Sequence, residues 1–325
     1  MVYQTENLHR IAFISFFRVV ACIMVVYYHC ICLYIPAWNT NNMVDGYIVI
    51  GNIINSIDMP IFFILSGYLY SYSYNKKNKY KDVYKLIKGK CVRLILPYLF
   101  WGIFICLIMP DKYHIIQMAK GISHLWFLLV LNNLFLLTAC YRKFWLSLTI
   151  RNLLLIISFS LIVFCLGTYF PFISSWLCFN TTMQYLPIFA IGLWCGYNNI
   201  PNISKNKIVC VGFLFLIVVI SSNNILNKLN YLLASIIVVY LLKKIQNLNI
   251  KVSSWIASID KNSMGIYILH HILIVWLLQY DSIKLIMIEY IYVAPVLMFL
   301  LVFSISFFLT CVIRKSNNYL SVLIG

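Results

Sequence analysis

The sequence predicts an all-α protein, a polytopic membrane bundle of about ten transmembrane helices with both termini on the cytoplasmic side. Three observations carry that expectation. Of 325 residues, 63% are hydrophobic and 10% are charged, which is more apolar surface than the core of one soluble domain hides. The apolar residues collect into ten stretches, near 12–33, 47–72, 93–109, 124–140, 153–170, 183–197, 208–222, 229–242, 264–280 and 288–313, the scale on which a helix crosses a hydrocarbon layer. The cations also alternate between connections. With the N-terminus inside, twenty of the 25 Lys and Arg fall on the inner side, four (Lys112, Lys120, Lys228 and Lys284) on the outer side, and Arg18 lies within a span. Cytoplasmic loops concentrate Lys and Arg, and one missed helix would invert every later loop. The formal net charge of +17 therefore reports topology, not a nucleic-acid partner.

The first span, IAFISFFRVVACIMVVYYHC, is too long and too polar for a cleavable signal peptide and reads as a retained helix. It carries Arg18 and His29. Eleven residues make about three helical turns, so both side chains share one stripe, about 16 Å apart along the axis. Ionisable groups embedded in lipid are costly unless they face a polar interior, which makes them functional candidates. The second span places Asp58 and Pro60 near its outer end, Asp58 within reach of His29, and Ser66 beside Gly67 farther in. Ser66 has no base beside it, and the Ser-Gly pair reads as a packing or helix-distorting feature. The next connection, residues 75–93, holds eight cations and one acid. Its Lys76 to Lys81 cluster suits anionic headgroups. Lys90 and Arg93, three residues apart at the entry of the third span, suit phosphates.

His124 and Trp126 open the fourth span, where a Trp is ordinarily an interfacial anchor. Gln184 and the Gly192, Gly196 pair read as helix packing. The ninth span carries His270 and His271, about 100° apart around the helix; His270 is taken as the inward one. The eleven cysteines are scattered without metal-ligand spacing, so no metal is assigned and they read as apolar fillers with free thiols. Walker, dinucleotide-binding, HExxH and GxSxG patterns are absent from the sequence.

Sorted by depth, Arg18, Lys90 and Arg93 form an inner layer, and His29, Asp58 and His124 an outer one. Cations held inward suit a phosphorylated donor arriving from the cytosol. An imidazole held outward suits general-base activation of a hydroxyl. The Arg18 to His29 spacing with Ala21 between, MPIFFILSGYL at 59–69, KCVRLILPY at 90–98, HLWFLLVL at 124–131, YLPIFAIG at 185–192 and SMGIYILHH at 263–271 together resemble the successive motifs of membrane acyltransferase family 3. The resemblance covers almost the whole chain, read as one domain over 1–325. It implies a bacterial inner-membrane O-acetyltransferase that uses acetyl-CoA as donor, binds no permanent cofactor and modifies a surface polysaccharide or its lipid-linked precursor. It also implies that His29 is the catalytic histidine, Arg18 its partner, and Arg93 part of the basic group at the third helix. In the mechanism expected, Asp58 or His124 orients His29, and Arg18, Lys90 and Arg93 bind the donor's phosphates.

Two positions depart from the family pattern. Ser15 stands where members often have an Asp, so a carboxylate for Arg18 must come from elsewhere; Cys91 stands where many have a second Arg, leaving Lys90 as the nearby cation, a point donor without the bidentate geometry of Arg. Two other readings fit the same residues. The same polar interior suits a glycan export or transport component, and Gln184, His271 and Asp58 also suit inter-helix glue. The partners expected are an acyl-CoA, a glycan acceptor and the lipid bilayer; the sequence assigns no oligomeric state.

Overall fold

The computed structural model describes residues 2–33, 45–77, 82–170, 174–220, 226–248, 250–316 and 318–325. All regular structure among them is helical. In order these are α1 (Val2–Tyr27) continued by a π-helical turn (Tyr28–Leu33), α2 (Asp45–Lys77), α3 (Val83–Ile108), 3₁₀ turns at Ile115–Lys120 and Ser123–Leu125, α4 (Trp126–Cys140), α5 (Arg142–Leu146), and α6 (Ile150–Tyr169). A 3₁₀ turn at Trp176–Cys178 then leads into α7 (Phe179–Asn198), α8 (Lys205–Ile220), α9 (Leu226–Asn247), α10 (Ser254–Leu277), α11 (Asp281–Glu289), α12 (Ala294–Ser316) and α13 (Asn318–Val322). The loop at 34–44 and the side chains from Lys76 to Lys81 lie outside the described residues.

Among the described residues seven helical segments are long and apolar enough to cross a membrane; α10 with α11, bent by 95° at the break between them, brings the number to eight. Two further expected spans are present as helices that fall short of that test. α7 has 20 residues but opens on Asn180, Thr181, Thr182 and Gln184. α8 has 16 described residues, ending where the described stretch ends at Ile220, about 24 Å of helix against a hydrocarbon core of about 30 Å.

Helix starts also differ from the hydropathy reading. α3 begins at Val83, capped by Asp82, whose carboxylate accepts from the N–H groups of Tyr84 (2.9 Å) and Lys85 (3.3 Å). α10 begins at Ser254, capped by Ser253, whose hydroxyl accepts from Ile256 N–H at 3.3 Å. Such caps satisfy orphan helix N–H groups, so charged residues expected in loops instead ride on the first turns of helices.

Two compact units divide the chain, and each is described by itself. The first comprises Met1–Phe62, Asn202–Asn317 and Ile324. Its core draws Val19, Cys22 and Val26 from α1, Ile259, Ile266 and Ile274 from α10, and Met298 and Val302 from α12, at spacings that bring one face of each helix inward. Gly265 lets α10 approach α12, because a Cβ there would collide with Thr310. Ser306 and Thr310, both fully buried, donate to their own Val302 and Ser306 carbonyls at 2.6 and 2.7 Å, so small polar residues line this contact with their hydroxyls satisfied. A smaller cluster joins Phe215 and Val219 of α8 to Ala234 of α9.

The second unit comprises Phe63–Pro201, Asn318–Leu323 and Gly325. Here α2 and α7 touch backbone to backbone. A Cβ on Gly67 would strike Phe189 O, one on Gly192 would strike Ile64 O and lie 2.9 Å from Ile64 Cα, and one on Gly196 would lie 3.2 Å from Tyr68 Cα. This is the packing role expected for the Gly192, Gly196 pair and for the Ser66-Gly67 step. Gly192→Val is therefore expected to lose most of the monodisperse protein in detergent chromatography. Gly212→Ala, at a position with nothing within 4 Å of an added Cβ, should behave as the parent; equal yields of both variants would contradict this packing.

Candidate active site

The stripe Ser15, Arg18, Cys22, Val26, His29 of α1 follows the three- and four-residue spacing of a single helix face. That face meets α10 at successive levels. Asp260 receives a hydrogen bond from Ser15 Oγ at its Oδ2 (2.7 Å) and pairs through Oδ1 with Arg18 Nε at 3.2 Å. One carboxylate is thus gripped by two residues one turn apart on α1. Farther along, Cys22 Sγ lies 3.7 Å from the Ser263 carbonyl oxygen, and His29 Nδ1 lies 3.4 Å from His270 Nε2.

Residue numbers rise together on both helices, so α1 and α10 run parallel. Parallel spans are separated by an odd number of crossings. The five apolar helices between them satisfy this, and seven crossings would satisfy it equally, so α7 and α8 either both cross or neither does. Ten residues from Asp260 to His270 advance about 15 Å, against about 16 Å from Arg18 to His29. The two helices therefore keep step, and the ionic contact and the imidazole contact belong to one seam.

Asp260 is the residue missed by the sequence reading. It supplies the carboxylate that Ser15 cannot, and both members of the pair are largely withdrawn from solvent, with side chains 29% (Arg18) and 13% (Asp260) exposed. A second arginine is attached to the same part of α10: Arg314 Nε of α12 donates to Asn262 Oδ1 at 3.1 Å. The amide of Asn262, itself buried, also donates to Ser258 O at 2.8 Å.

At the far end of the seam His29 sits in the π turn, a wider and rarer helical register often found at functional sites. Its Nδ1 lies 2.8 Å from Val25 O, and His270 Nδ1 lies 3.1 Å from Ile266 O. A carbonyl accepts and never donates, so in each neutral ring Nδ1 bears the hydrogen and Nε2 bears the lone pair. His29 is half-buried, while His270 is fully buried and His271 nearly so. Both rings of α10 lie against that of His29, with centroids at 5.0 Å for His270 and 5.4 Å for His271. His270, the expected inward residue, makes the hydrogen-bonding contact; His271 shares the aromatic cluster.

Asp58 is buried in α2, which continues as helix through Pro60. Proline lacks the N–H of a helix bond and its ring crowds the carbonyl four residues earlier. Beside it, the Met59 N–H donates to Asp58 Oδ1 at 2.6 Å. Asp58 is also an electrostatic neighbour of Tyr267 on α10. Among the described residues, no hydrogen bond or ion pair joins Asp58 to His29.

The remaining sequence candidates belong to the second unit. Lys90 is half-buried, with its ammonium 3.6 Å from the Phe135 ring centroid, whereas Arg93, one turn on, is exposed. Cys91 Sγ lies 3.8 Å from Asn132 Oδ1. His124 is buried in the short turn that leads into α4, its Nδ1 3.4 Å from Ser123 Oγ, which also accepts from Tyr113 OH at 3.4 Å. Ser66 is half-buried beside the Gly67 contact. Aromatic rings stack nearby: Phe63 on Tyr185 with centroids 4.4 Å apart, and Tyr185 on Trp126 at 5.6 Å.

Comparison with curated proteins and with solved structures returned no match. Comparison with protein families did: the sequence of an acyltransferase domain matches residues 11–315, from the start of the α1 stripe to the end of α12. The match takes in both units and every candidate residue above, and the chain accordingly belongs to acyltransferase family 3, as a membrane acyltransferase.

Proposed function

We propose that this protein is an O-acyltransferase of the bacterial inner membrane, moving an acetyl group from cytosolic acetyl-CoA to a sugar hydroxyl of a surface polysaccharide or its lipid-linked precursor. The observation that carries this reading is the α1–α10 seam, with a guanidinium at one level and an imidazole bearing a free-electron-pair Nε2 at the other. Their separation along α1, about 16 Å, is comparable with the pantetheine arm of coenzyme A. Arg18 attracts the phosphates of the donor. Both termini lie on the cytoplasmic side.

In the reaction, His29 Nε2 takes the proton of the acceptor hydroxyl as its oxygen attacks the thioester carbonyl. The carbon–sulfur bond breaks, and the departing thiolate takes up the proton that His29 had accepted, giving coenzyme A and the sugar ester and returning the imidazole to its neutral form. A general base held at the reacting oxygen contributes about 10²- to 10⁴-fold to rate. The direct test is to incubate membrane vesicles with labelled acetyl-CoA and follow label into the glycan fraction, comparing glycan mass and acetyl NMR signals from cells with and without the protein. Acetyl groups lost from an otherwise intact glycan support the transferase. Loss of the glycan itself from the surface, with acetylation of the remainder unchanged, would overturn it in favour of an export component.

A further inference from the structure

We propose that His270 is a positioning residue for His29: its Nε2 accepts from His29 Nδ1–H, holds Nε2 of His29 as the basic nitrogen, and shares the charge that appears when His29 takes a proton. This rests on His29 acting as the general base described above, and it assigns the orienting role to an imidazole in place of a carboxylate.

Each ring is pinned by its own helix. His270 Nδ1 faces Ile266 O at 3.1 Å, so its hydrogen is directed along α10 and its lone pair lies at the opposite nitrogen. That nitrogen is the one 3.4 Å from His29. His29 Nδ1 in turn faces Val25 O at 2.8 Å. A single hydrogen on His29 Nδ1 is therefore forked between a carbonyl and an imidazole, both acceptors, and no other tautomer lets all three contacts stand. In the resting state the fork fixes the ring. Once Nε2 has taken the hydroxyl proton, the same Nδ1–H belongs to a cation, and hydrogen bonds from a charged donor are about twice as strong as neutral ones. The contact thus tightens as the transition state is approached, which is what makes an orienting group useful to catalysis.

The surroundings leave this role to His270. Against His29 lie His271 of α10 at 5.4 Å between ring centroids and Tyr28 of α1 at 5.5 Å. Tyr267 lies 5.8 Å from His270, with Asp58 of α2 as its electrostatic neighbour. α12 meets this end of α1 with Phe299 against Tyr27. Among the described residues, His270 is the one titratable side chain hydrogen-bonded to His29. Its complete burial holds the ring at a fixed place on α10.

The experiment uses the full chain in membrane vesicles with labelled acetyl-CoA and the endogenous glycan, and measures kcat, the KM for acetyl-CoA and the pH profile of kcat. His270→Leu should lower kcat about tenfold or more, the scale of one lost buried hydrogen bond, with the KM for acetyl-CoA within about twofold. Loss of the acceptor disfavours the imidazolium, so the acidic limb of the profile should move to lower pH by about half a unit or more. His270→Gln, whose amide oxygen accepts, should recover most of kcat. His270→Glu should move the acidic limb to higher pH, because a carboxylate favours the cation. Should the leucine variant fail to fold, the contrast between Glu and Gln decides. Identical acidic limbs in those two variants, or a leucine variant with parental kcat and profile, overturns the inference. An active His29→Ala would instead overturn the general-base reading, so the two failures are distinguishable.

Discussion

His29→Ala is expected to lower acyl transfer about 10²- to 10⁴-fold, the range that removal of a positioned general base produces, while the protein still inserts and purifies as a monodisperse species. The reason is geometric. His29 Nδ1 is committed to Val25 O, so the ring contributes to the helix through one nitrogen and offers the other to chemistry. The alanine variant forfeits the nitrogen proposed to react but leaves intact the apolar residues Val26, Cys30 and Ile31 that anchor this end of α1 in the core. The measurement is the initial rate of label transfer from acetyl-CoA in vesicles, normalised to folded protein by detergent chromatography. A rate within tenfold of the parent would remove His29 from the reaction.

Asp260→Leu should lower stability markedly. Arg18 lies on a spanning helix with its carboxylate supplied from α10, and removing one partner of a fully buried ion pair costs about 3–5 kcal/mol, an upper bound for this half-buried one, because the remaining charge loses its compensation. Replacing both partners with apolar residues of similar volume is often neutral or stabilising by about 1–4 kcal/mol. The double variant Arg18→Met, Asp260→Leu should therefore recover the thermal midpoint in detergent lost by Asp260→Leu, and yet transfer no acyl group if Arg18 holds the donor. A more specific expectation follows from Ser15. Its hydroxyl donates to the same carboxylate, so Ser15→Asp alone sets two carboxylates against each other, whereas Ser15→Asp with Asp260→Ser returns one carboxylate and one hydroxyl to the cluster. The swap should recover stability relative to either single change. Thermal midpoints that ignore all of these substitutions would mean that the contact contributes little.

Much of this seam was legible in the sequence because helical period is a local property. Arg18 and His29 share a stripe through spacing alone, and the structure turns both toward α10. Asp260 was not legible in the same way. Hydropathy ends a span where charges begin, and SIDKNS reads as a connection until the Ser253 cap is recognised as the start of a helix. The capping serine was the available signal. His270 and His271 illustrate a different limit: with α10 known only as a periodic segment, either could turn inward, and in the folded chain both rings meet His29 because it lies beside the arc they span. Asp58 shows a third. Its nearest hydrogen-bond donor is the next backbone N–H in a helix disturbed by Pro60, a partner that no pattern of side chains reveals. The count of ten spans depended on treating α7 and α8 as equals of the rest, although one opens on polar residues and the described part of the other is short.

The parallel register of α1 and α10 has a mechanical consequence. Because the ionic contact and the paired imidazoles are rungs between the same two rails, a slip of one rail by a single residue, about 1.5 Å, would disengage both together. The donor grip and proton acceptance proposed for Arg18 and His29 would thereby be ganged: whatever displaces α10 lengthwise throws both levers at once, and neither can be adjusted without the other.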